Sequence, residues 1–305
     1  MWPALSSRLR HAAVPGALRL IAAVLVVLAF AAGPAVAKPA LWVVRSPTAT
    51  IYLFGTVHAL NPDMKWHSSK LDHAFAQAKE LWLEIGDGGF YRQSAPLVQR
   101  FGTDYRKPLS SKLPKADLDQ IDAALRKAGV QDGRARIEWL RPWVVAMMLG
   151  GGASQGLGLE RGSGADLSLQ EDAAEADKPV RALETMEQQL RVFADMPPPL
   201  EIAVLEDALA HMDSSPDKMS ALLTAWMAGD VDTIAKFTIT RDGPTEDEVY
   251  RRLLVNRNKT WATKIAELLK GSGTILIAAG AAHFAGPDSV QTQLEALGIK
   301  TERVQ

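Results

Sequence analysis

The sequence predicts an α/β protein with a central, mostly parallel sheet, flanking helices and a helical elaboration. Two apolar runs, at residues 50–58 and 274–283, are rich in aliphatic residues, and each ends in Gly-x-x-His. Their length and composition favour buried strands. A third short apolar run, at residues 81–85, follows the first after a helical segment. Such a strand, helix, strand unit favours parallel strands.

The composition is that of an ordinary globular protein. The chain has 305 residues, of which 47% are hydrophobic and 23% charged, so it has enough apolar residues to bury a sizeable core. Its 34 basic and 35 acidic residues nearly balance, and nothing here favours a nucleic-acid partner. The absence of cysteine excludes disulfides, thiolate metal sites and a cysteine nucleophile. Any metal would therefore be held by nitrogen and oxygen atoms.

Residues 1–37 are predicted to be a signal peptide. Three arginines precede or flank an uncharged, mostly aliphatic run at residues 20–32, and small residues at 35–37 form a signal-peptidase site. The apolar run is too short to cross about 30 Å of hydrocarbon. We therefore expect cleavage near the Ala37–Lys38 bond and a periplasmic or secreted domain over residues 38–305. An uncleaved leader is the alternative, and only then would the membrane be a partner.

Helical patterns fill the middle of the chain. Ser68 or Ser69 begins a helix with apolar residues at helical spacing. A helical insertion is then expected at roughly residues 90–265, with one strand candidate at 179–183 that ends at Glu184. The helices expected from residue 113 onward lie at 113–129, 137–149, 165–176, 190–193, 200–212 and 245–270.

Three boundaries carry further expectations. Thr245 and Glu248 form a capping-box pattern at the start of the helix predicted over 245–270. The glycine-rich segment at 150–164 is predicted to be a loop beside a site, since it lacks the ending of a phosphate-binding loop. The last elements are a helix at 289–297 and an edge strand at 300–304.

Three candidate site residues lie at predicted strand ends. His58 and His283 close the two Gly-x-x-His runs, and Glu84 lies near the end of the neighbouring strand. Because the carboxyl ends of parallel strands meet at one edge of a sheet, we expect the three side chains to converge. Two imidazoles and a carboxylate would bind a divalent metal that activates water. Alternatively, a histidine ordered by the carboxylate would act as a general base on water without a metal.

Both alternatives are hydrolysis by water. The sequence has no serine in a Gly-x-Ser-x-Gly setting, and cysteine is absent. It also lacks a His-Glu-x-x-His motif, so a metallopeptidase activity would need ligands that are scattered along the chain. The predicted site is therefore one in which water is the nucleophile.

Five further residues are candidates for roles in or around this site. Arg257 lies in the apolar stripe of a predicted helix, where it would stabilise an oxyanion, anchor a substrate carboxylate, or form a buried ion pair with Glu184 or Glu187. Asp166 and Glu184 would orient the histidines or cap helices, and Asn258 is a further candidate for the orienting role. His67 would be a third metal ligand or a surface residue.

A series of short motifs runs in order from about residue 41 to residue 304, and in that order it resembles the TraB/GumN family, which includes TraB, PrgY and GumN. The motifs are Tyr52-Leu53-Phe54-Gly55-Thr56-Val57-His58, Leu83-Glu84, Arg141-Pro142-Trp143, Gly164-Ala165-Asp166, Leu183-Glu184-Thr185 with Glu187-Gln188, Arg257-Asn258 with Trp261, and Gly280-Ala281-Ala282-His283 with Gly286.

The resemblance implies a fold similar to that of the erythromycin esterase-like and ChaN-like proteins. It also implies an activity, because the Tiki proteins, which are similar to this family, are metal-dependent peptidases with two Gly-x-x-His motifs and a glutamate, activated by manganese or cobalt. Carried over to this sequence, those residues are His58, His283 and Glu84.

We therefore expect an exported, metal-dependent hydrolase that acts on a peptide or another small polar substrate, with manganese, cobalt or zinc as the metal. Its catalytic residues would be Glu84, His58, His283 and Arg257. One alternative is a non-catalytic protein that binds a peptide, a metal or haem in the same cleft. The other is a metal-independent, esterase-like hydrolase.

Overall fold

The structure is a computed structural model that describes residues 37–86, 90–127, 130, 133–155, 157–210, 215–239 and 243–305. The predicted signal peptide, up to residue 36, lies outside the described residues. Within these ranges no helix has both the length and the apolar character needed to cross a membrane.

The described residues form a six-stranded mixed sheet at the centre of the fold. In chain order its strands are β1 (Leu41–Arg45), β2 (Ala49–Thr56), β3 (Glu80–Leu83), β4 (Val180–Ala182), β5 (Gly273–Gly280) and β6 (Thr301–Arg303). In space their order is β4-β3-β5-β2-β1-β6. The first four strands in that order are parallel, whereas β1 runs antiparallel to β2 and β6 antiparallel to β1. The predicted α/β class with a mostly parallel sheet is confirmed.

The sheet differs from the sequence-based expectation in its strand order and in one additional strand. β5 lies between β2 and β3, so the first Gly-x-x-His run and the strand that precedes Glu84 are not neighbours. Both instead pair with β5, which comes from the far end of the chain. β1 was not predicted, although its apolar side chains pack in the core.

Helices flank the sheet. In chain order they are α1 (Ser69–Gln77), α2 (Phe90–Phe101), α3 (Lys115–Lys127), α4 (Gly133–Ile137), α5 (Pro142–Gln155), α6 (Ala165–Glu175), α7 (Met186–Ala194), α8 (Pro198–Ala210), α9 (Ser215–Ala228), α10 (Val231–Thr238), α11 (Pro244–Tyr250), α12 (Asn256–Leu268) and α13 (Val290–Ala296). α1, α6, α9 and α10 bury apolar side chains against one face of the sheet, and α12 and α13 bury theirs against the other. α3, α4, α5 and α8 share a separate core.

Two helix predictions were wrong at their boundaries. The helix expected over 137–149 begins later, since α4 ends at Ile137 and α5 begins at Pro142. Proline is favoured in the first turn of a helix, because the N–H that it lacks would have no partner there. α5 then continues to Gln155, through the first part of the predicted glycine-rich loop. The helix expected from Thr245 begins instead at Pro244 after Gly243, which makes no side-chain cap.

The long helix also contains a π-helical turn, Arg251–Val255, between α11 and α12. Such turns insert one extra residue and shift the helical face by about 100° relative to a regular helix. This turn directly precedes Arg257 and Asn258, which lie on the side of α12 that faces the sheet. Arg257, two residues after this turn, contacts residues at the ends of β3 and β5.

Candidate active site at the strand ends

Four candidate residues follow the four parallel strands. His58, Glu84, Glu184 and His283 lie one to three residues beyond the ends of β2, β3, β4 and β5. Because these strands are parallel, all four residues lie at the same edge of the sheet. The backbone extends the pairing beyond β3 and β4, since the amide of Glu184 donates to the carbonyl of Glu84 at 2.9 Å.

Gly280, the last residue of β5, is the point on which three predicted site residues converge. A Cβ atom at Gly280 would lie 3.1 Å from Oε1 of Glu84, 3.6 Å from Nε2 of His58 and 3.7 Å from Cδ2 of His283. The amide of Gly280 donates to Oε1 of Glu84 at 2.7 Å. Glycine is therefore needed here, because any side chain would enter the space between the two imidazoles and the carboxylate.

The Glu84 carboxylate is buried and fixed by three donors. Besides the Gly280 amide, Oε2 accepts from Nη2 of Arg257 at 2.6 Å and from Nε2 of Gln189 at 2.9 Å. Burial alone would raise the pKa of this carboxyl, but Arg257, the two imidazoles and the Gly280 amide together hold the pKa of Glu84 well below its usual value. Glu84 is therefore an ionised and immobile acceptor at neutral pH.

Arg257 uses all five of its N–H donors within the protein. Nε donates to the Glu184 carboxylate at 3.1 Å, and Nη2 donates to Glu84 and Glu184, each at 2.6 Å. Nη1 lies 3.1 Å from the carbonyl of Leu253 and 3.0 Å from Nε2 of His283. A guanidinium has five donors, so none remains for an oxyanion in this arrangement. These contacts support the ion-pair interpretation of Arg257.

Glu184 completes this cluster of buried charges. Its carboxylate faces Arg257 and is almost fully buried. Burial raises the pKa of Glu184, and the hydrogen bonds and charge of Arg257 offset that effect only in part. One guanidinium therefore stands between two carboxylates.

His283 is a buried, neutral imidazole. Because a guanidinium only donates, Nε2 of His283 must accept from Arg257, which puts the ring proton on Nδ1. Nδ1 lies 2.5 Å from Oδ1 of Asn258, whose amide nitrogen donates to the carbonyl of Asp288 at 2.8 Å. Burial lowers the pKa of His283 to about 3, although the charge of Glu84 opposes this shift. His283 therefore orients its neighbours and stays uncharged at neutral pH, with its single ring proton on Nδ1.

His58 differs from His283 because its side chain is 60% exposed. Its Nδ1 lies 3.1 Å from Oδ2 of Asp166, in the first turn of α6. A carboxylate at Nδ1 favours the tautomer with the lone pair on Nε2, the nitrogen nearest Gly280. Asp166 thus lies where it can orient His58, which is one of the two roles expected for it from the sequence.

The backbone around α6 keeps Asp166 beside His58. The amide of Ala165 donates to the carbonyl of Val57 at 2.9 Å, which ties the start of α6 to the end of β2. A Cβ atom at Gly164 would lie only 2.6 Å from the carbonyl oxygen of His58. Glycine at this position therefore allows the two segments to approach closely enough for the His58–Asp166 contact.

In this arrangement Arg257 takes up contacts that a divalent metal would need, at Nε2 of His283 and Oε2 of Glu84. Among the described residues no group of three histidine, aspartate or glutamate side chains is placed to hold a metal ion. Nε2 of His283 lies 3.8 Å from Oε1 of Glu84, but its lone pair already accepts from Arg257. The guanidinium supplies the positive charge that Glu84 faces. A metal at His58, His283 and Glu84 would first require Arg257 to move away.

The structure places one predicted residue, His67, away from the site and one residue that was not predicted, Gln189, within it. His67, considered as a third ligand, contacts Asp72 at 2.9 Å and packs on Trp66, and it lines a separate surface groove with Asp172. Gln189 was not predicted but donates to Glu84. Nothing in the sequence singles it out, because the adjacent Gln188 is the residue that fits the capping box of α7.

Comparison with known proteins identifies the family of this chain. The model of the TraB/PrgY/gumN family matches residues 40–303. A protein of Treponema pallidum (strain Nichols), described as uncharacterized, is 20% identical over 265 residues, 82% of this chain and 78% of that protein. The uncharacterized protein YbaP of Escherichia coli (strain K12) is 23% identical over 256 residues, 84% of this chain and 92% of YbaP. No solved structure gives a significant match.

Proposed function

We propose that this chain, which belongs to the TraB/PrgY/gumN family, is a hydrolase in which His58 is the general base that activates water. One observation carries the proposal: Nε2 of His58 and the ionised Glu84 carboxylate both border the space beside Gly280, while Asp166 contacts the other ring nitrogen, Nδ1 of His58. His58 is accessible to solvent, unlike His283. A base must reach both the water and a substrate, and of the two histidines His58 has that exposure.

The proposed reaction is the addition of water across an ester or amide bond. Nε2 of His58 accepts a proton from water as the water oxygen bonds to the carbonyl carbon. The imidazolium then gives this proton to the leaving oxygen or nitrogen as the bond to the carbonyl carbon breaks. An acid and an alcohol or amine are released. The negative charge of Glu84 stabilises the imidazolium that forms, and general-base catalysis of this kind is worth about 10²- to 10⁴-fold.

The remaining side chains position Glu84. Arg257 and Gln189 hold one carboxylate oxygen and Gly280 the other, so that Glu84 cannot rotate away from His58. His283 accepts from Arg257 and thereby fixes the guanidinium. Preorganised charges of this kind need no reorganisation during the reaction.

We further propose that the substrate is a peptide or another small polar molecule outside the cytoplasm, since the sequence pattern at residues 1–37 is that of a signal peptide. N-terminal sequencing of the exported protein tests this directly. A first residue at or near Lys38 would support export with cleavage. A mature protein that keeps residues 20–32 would contradict it and support a membrane anchor.

A metal-dependent form of the same hydrolase is the second proposal. It is favoured by the two imidazoles and the carboxylate that surround Gly280, which are the residue types that hold zinc, manganese or cobalt. In this form His58, His283 and Glu84 would be the ligands once Arg257 had withdrawn, and the bound ion would supply an activated water. A third possibility, a protein that binds a ligand without turnover, predicts saturable binding and no product.

The experiment is a screen of the purified mature protein against ester and peptide substrates, with a chelator and with added manganese, cobalt or zinc. Chelator-resistant turnover that Glu84→Gln reduces at least tenfold would support the first proposal. The exposed Glu302→Gln is the control and should keep full activity. Turnover only with added metal, together with loss of bound metal in His283→Ala by elemental analysis, would support the second. Equal turnover by wild type and Glu84→Gln would contradict both.

A further inference from the structure

The hydroxyl of Thr56 is buried without a hydrogen-bond partner. Thr56 is 1% exposed, and no described residue lies within hydrogen-bonding geometry of its Oγ1. Buried polar atoms in proteins are nearly always paired with protein or with ordered water. Valine would fill the same volume and is at least as favourable in a strand. Packing alone therefore does not explain a threonine at this position.

Thr56 lies beside the space between His58 and Glu84. It is the last residue of β2 and pairs in register with Gly280, the last residue of β5. Residues paired in adjacent parallel strands project to the same face of the sheet, about 4.8 Å apart. The direction that a side chain of Gly280 would take leads to Oε1 of Glu84 and Nε2 of His58. The Thr56 side chain thus projects along the wall of the same space.

We propose that Thr56 is a positioning residue whose hydroxyl binds the water that His58 activates. The inference rests on the proposed function. Buried waters in proteins make about two to four hydrogen bonds, and this space offers polar atoms from Thr56, His58 and Glu84. The water would give one hydrogen to Nε2 of His58 and one to Oγ1 of Thr56. Its oxygen lone pair would then remain for the carbonyl carbon.

The arrangement explains the choice of residue at the end of β2. A hydroxyl held on a rigid strand end fixes the direction of the water with no flexible side chain to order. The two residues that follow, Val57 and His58, carry the chain out of the sheet toward α6. Strand β2 would therefore supply both the group that orients the water and the group that takes its proton.

Thr56→Val and Thr56→Ser test the proposal. Valine keeps the shape and removes the hydroxyl, so kcat should fall about ten- to hundredfold with KM nearly unchanged. The melting temperature should not fall, because the lost hydroxyl has no protein partner among the described residues. Thr56→Ser should keep most of the activity. Thr50→Val, at the opposite end of β2, is the matched control and should leave kcat unchanged.

High-resolution crystal structures of the wild type and Thr56→Val supply a readout that does not depend on activity. The expected result is an ordered water within about 3.2 Å of Oγ1 in the wild type and its loss in the variant. A wild-type structure without that water, or a Thr56→Val enzyme with wild-type kcat, would overturn the inference. If the water is present but no substrate is hydrolysed, the water site stands and the proposed function fails.

Discussion

Replacing Arg257 by methionine should destabilise the protein by about 3–5 kcal/mol at pH 7. The substitution keeps an apolar side chain of similar length but removes the cation that faces both Glu84 and Glu184. These carboxylates are each about nine-tenths buried and accept from the guanidinium at 2.6 Å. Removing one partner of a buried ion pair leaves charge without compensation, and here two carboxylates lose the same partner.

The cost should shrink as the pH falls. In the wild type the pKa of Glu84 is held below its usual value, so its contribution to stability is present above pH 4.5 and is lost only as the pH falls through the lower folded pKa. Without Arg257, burial would raise the pKa of both carboxyls above their unfolded values. The folded variant would then gain protons, and therefore relative stability, between pH 7 and pH 5.

Urea-induced unfolding at pH 7 and pH 5 measures both effects. Arg45→Met is the matched control, since Arg45 pairs with Glu302 at 2.8 Å but the two side chains are 53% and 67% exposed. Its cost should be no more than about 1 kcal/mol, and it should not depend on pH. A loss below about 1 kcal/mol for Arg257→Met at pH 7 would refute the reasoning, as would an equal loss at both pH values.

Two further predictions concern the centre of the site. Gly280→Ala should lower hydrolysis at least tenfold with little change in melting temperature, because its Cβ would lie 3.1 Å from Oε1 of Glu84. Gly162→Ala is the control and should have no effect, because a Cβ there meets no atom within 4 Å. Equal activity of the two variants would count against the site. The pKa of His283 is about 3 in the folded protein and 6.5 in the unfolded chain, so only the unfolded chain binds the extra proton between pH 7.5 and pH 5. The free energy of unfolding of the wild type should therefore decrease as the pH is lowered, by at most about 1.4 kcal/mol per pH unit. His283→Gln should make this decrease smaller. If the free energy of unfolding depends on pH equally in both proteins, His283 is not buried and neutral.

The strand ends could be predicted from the sequence because their signals are local. Short apolar runs closed by glycine mark where a buried strand leaves the sheet, and His58 and His283 stand at a fixed interval after that glycine. Glu84 was placed by the same argument, from a third run. In the structure all three residues surround Gly280, so this part of the site follows from residue type and spacing alone.

The strand order could not be predicted in this way. β2 and β3 are close in the sequence, but both pair with β5, which begins at Gly273. The preference for β5 depends on which apolar faces fit together in the complete core, and no local pattern records that. The convergence of the site is nevertheless preserved, since the edge of a parallel sheet is common to all its parallel strands.

The contacts within the site were the least predictable part. Arg257 had three interpretations from the sequence, and apart from the carbonyl of Leu253 its acceptors, on Glu84, Glu184 and His283, come from distant segments of the chain. The π-helical turn before α12 has no clear sequence signal, yet it changes which face of the helix follows it. Gln189 is adjacent to a residue with a recognisable capping role and carries no pattern of its own.

The comparison of His58→Ala with His67→Ala tests the proposed function most directly. The two histidines are a matched pair: both are partly exposed, and each has Nδ1 about 3 Å from an aspartate oxygen, at 3.1 Å and 2.9 Å. His58 alone of the two lies beside Glu84 and Gly280. With any substrate that the wild type hydrolyses, His58→Ala should lose at least about 10²-fold in kcat/KM, while His67→Ala should stay within about twofold of the wild type. Equal rates for the two variants would contradict a catalytic base at His58.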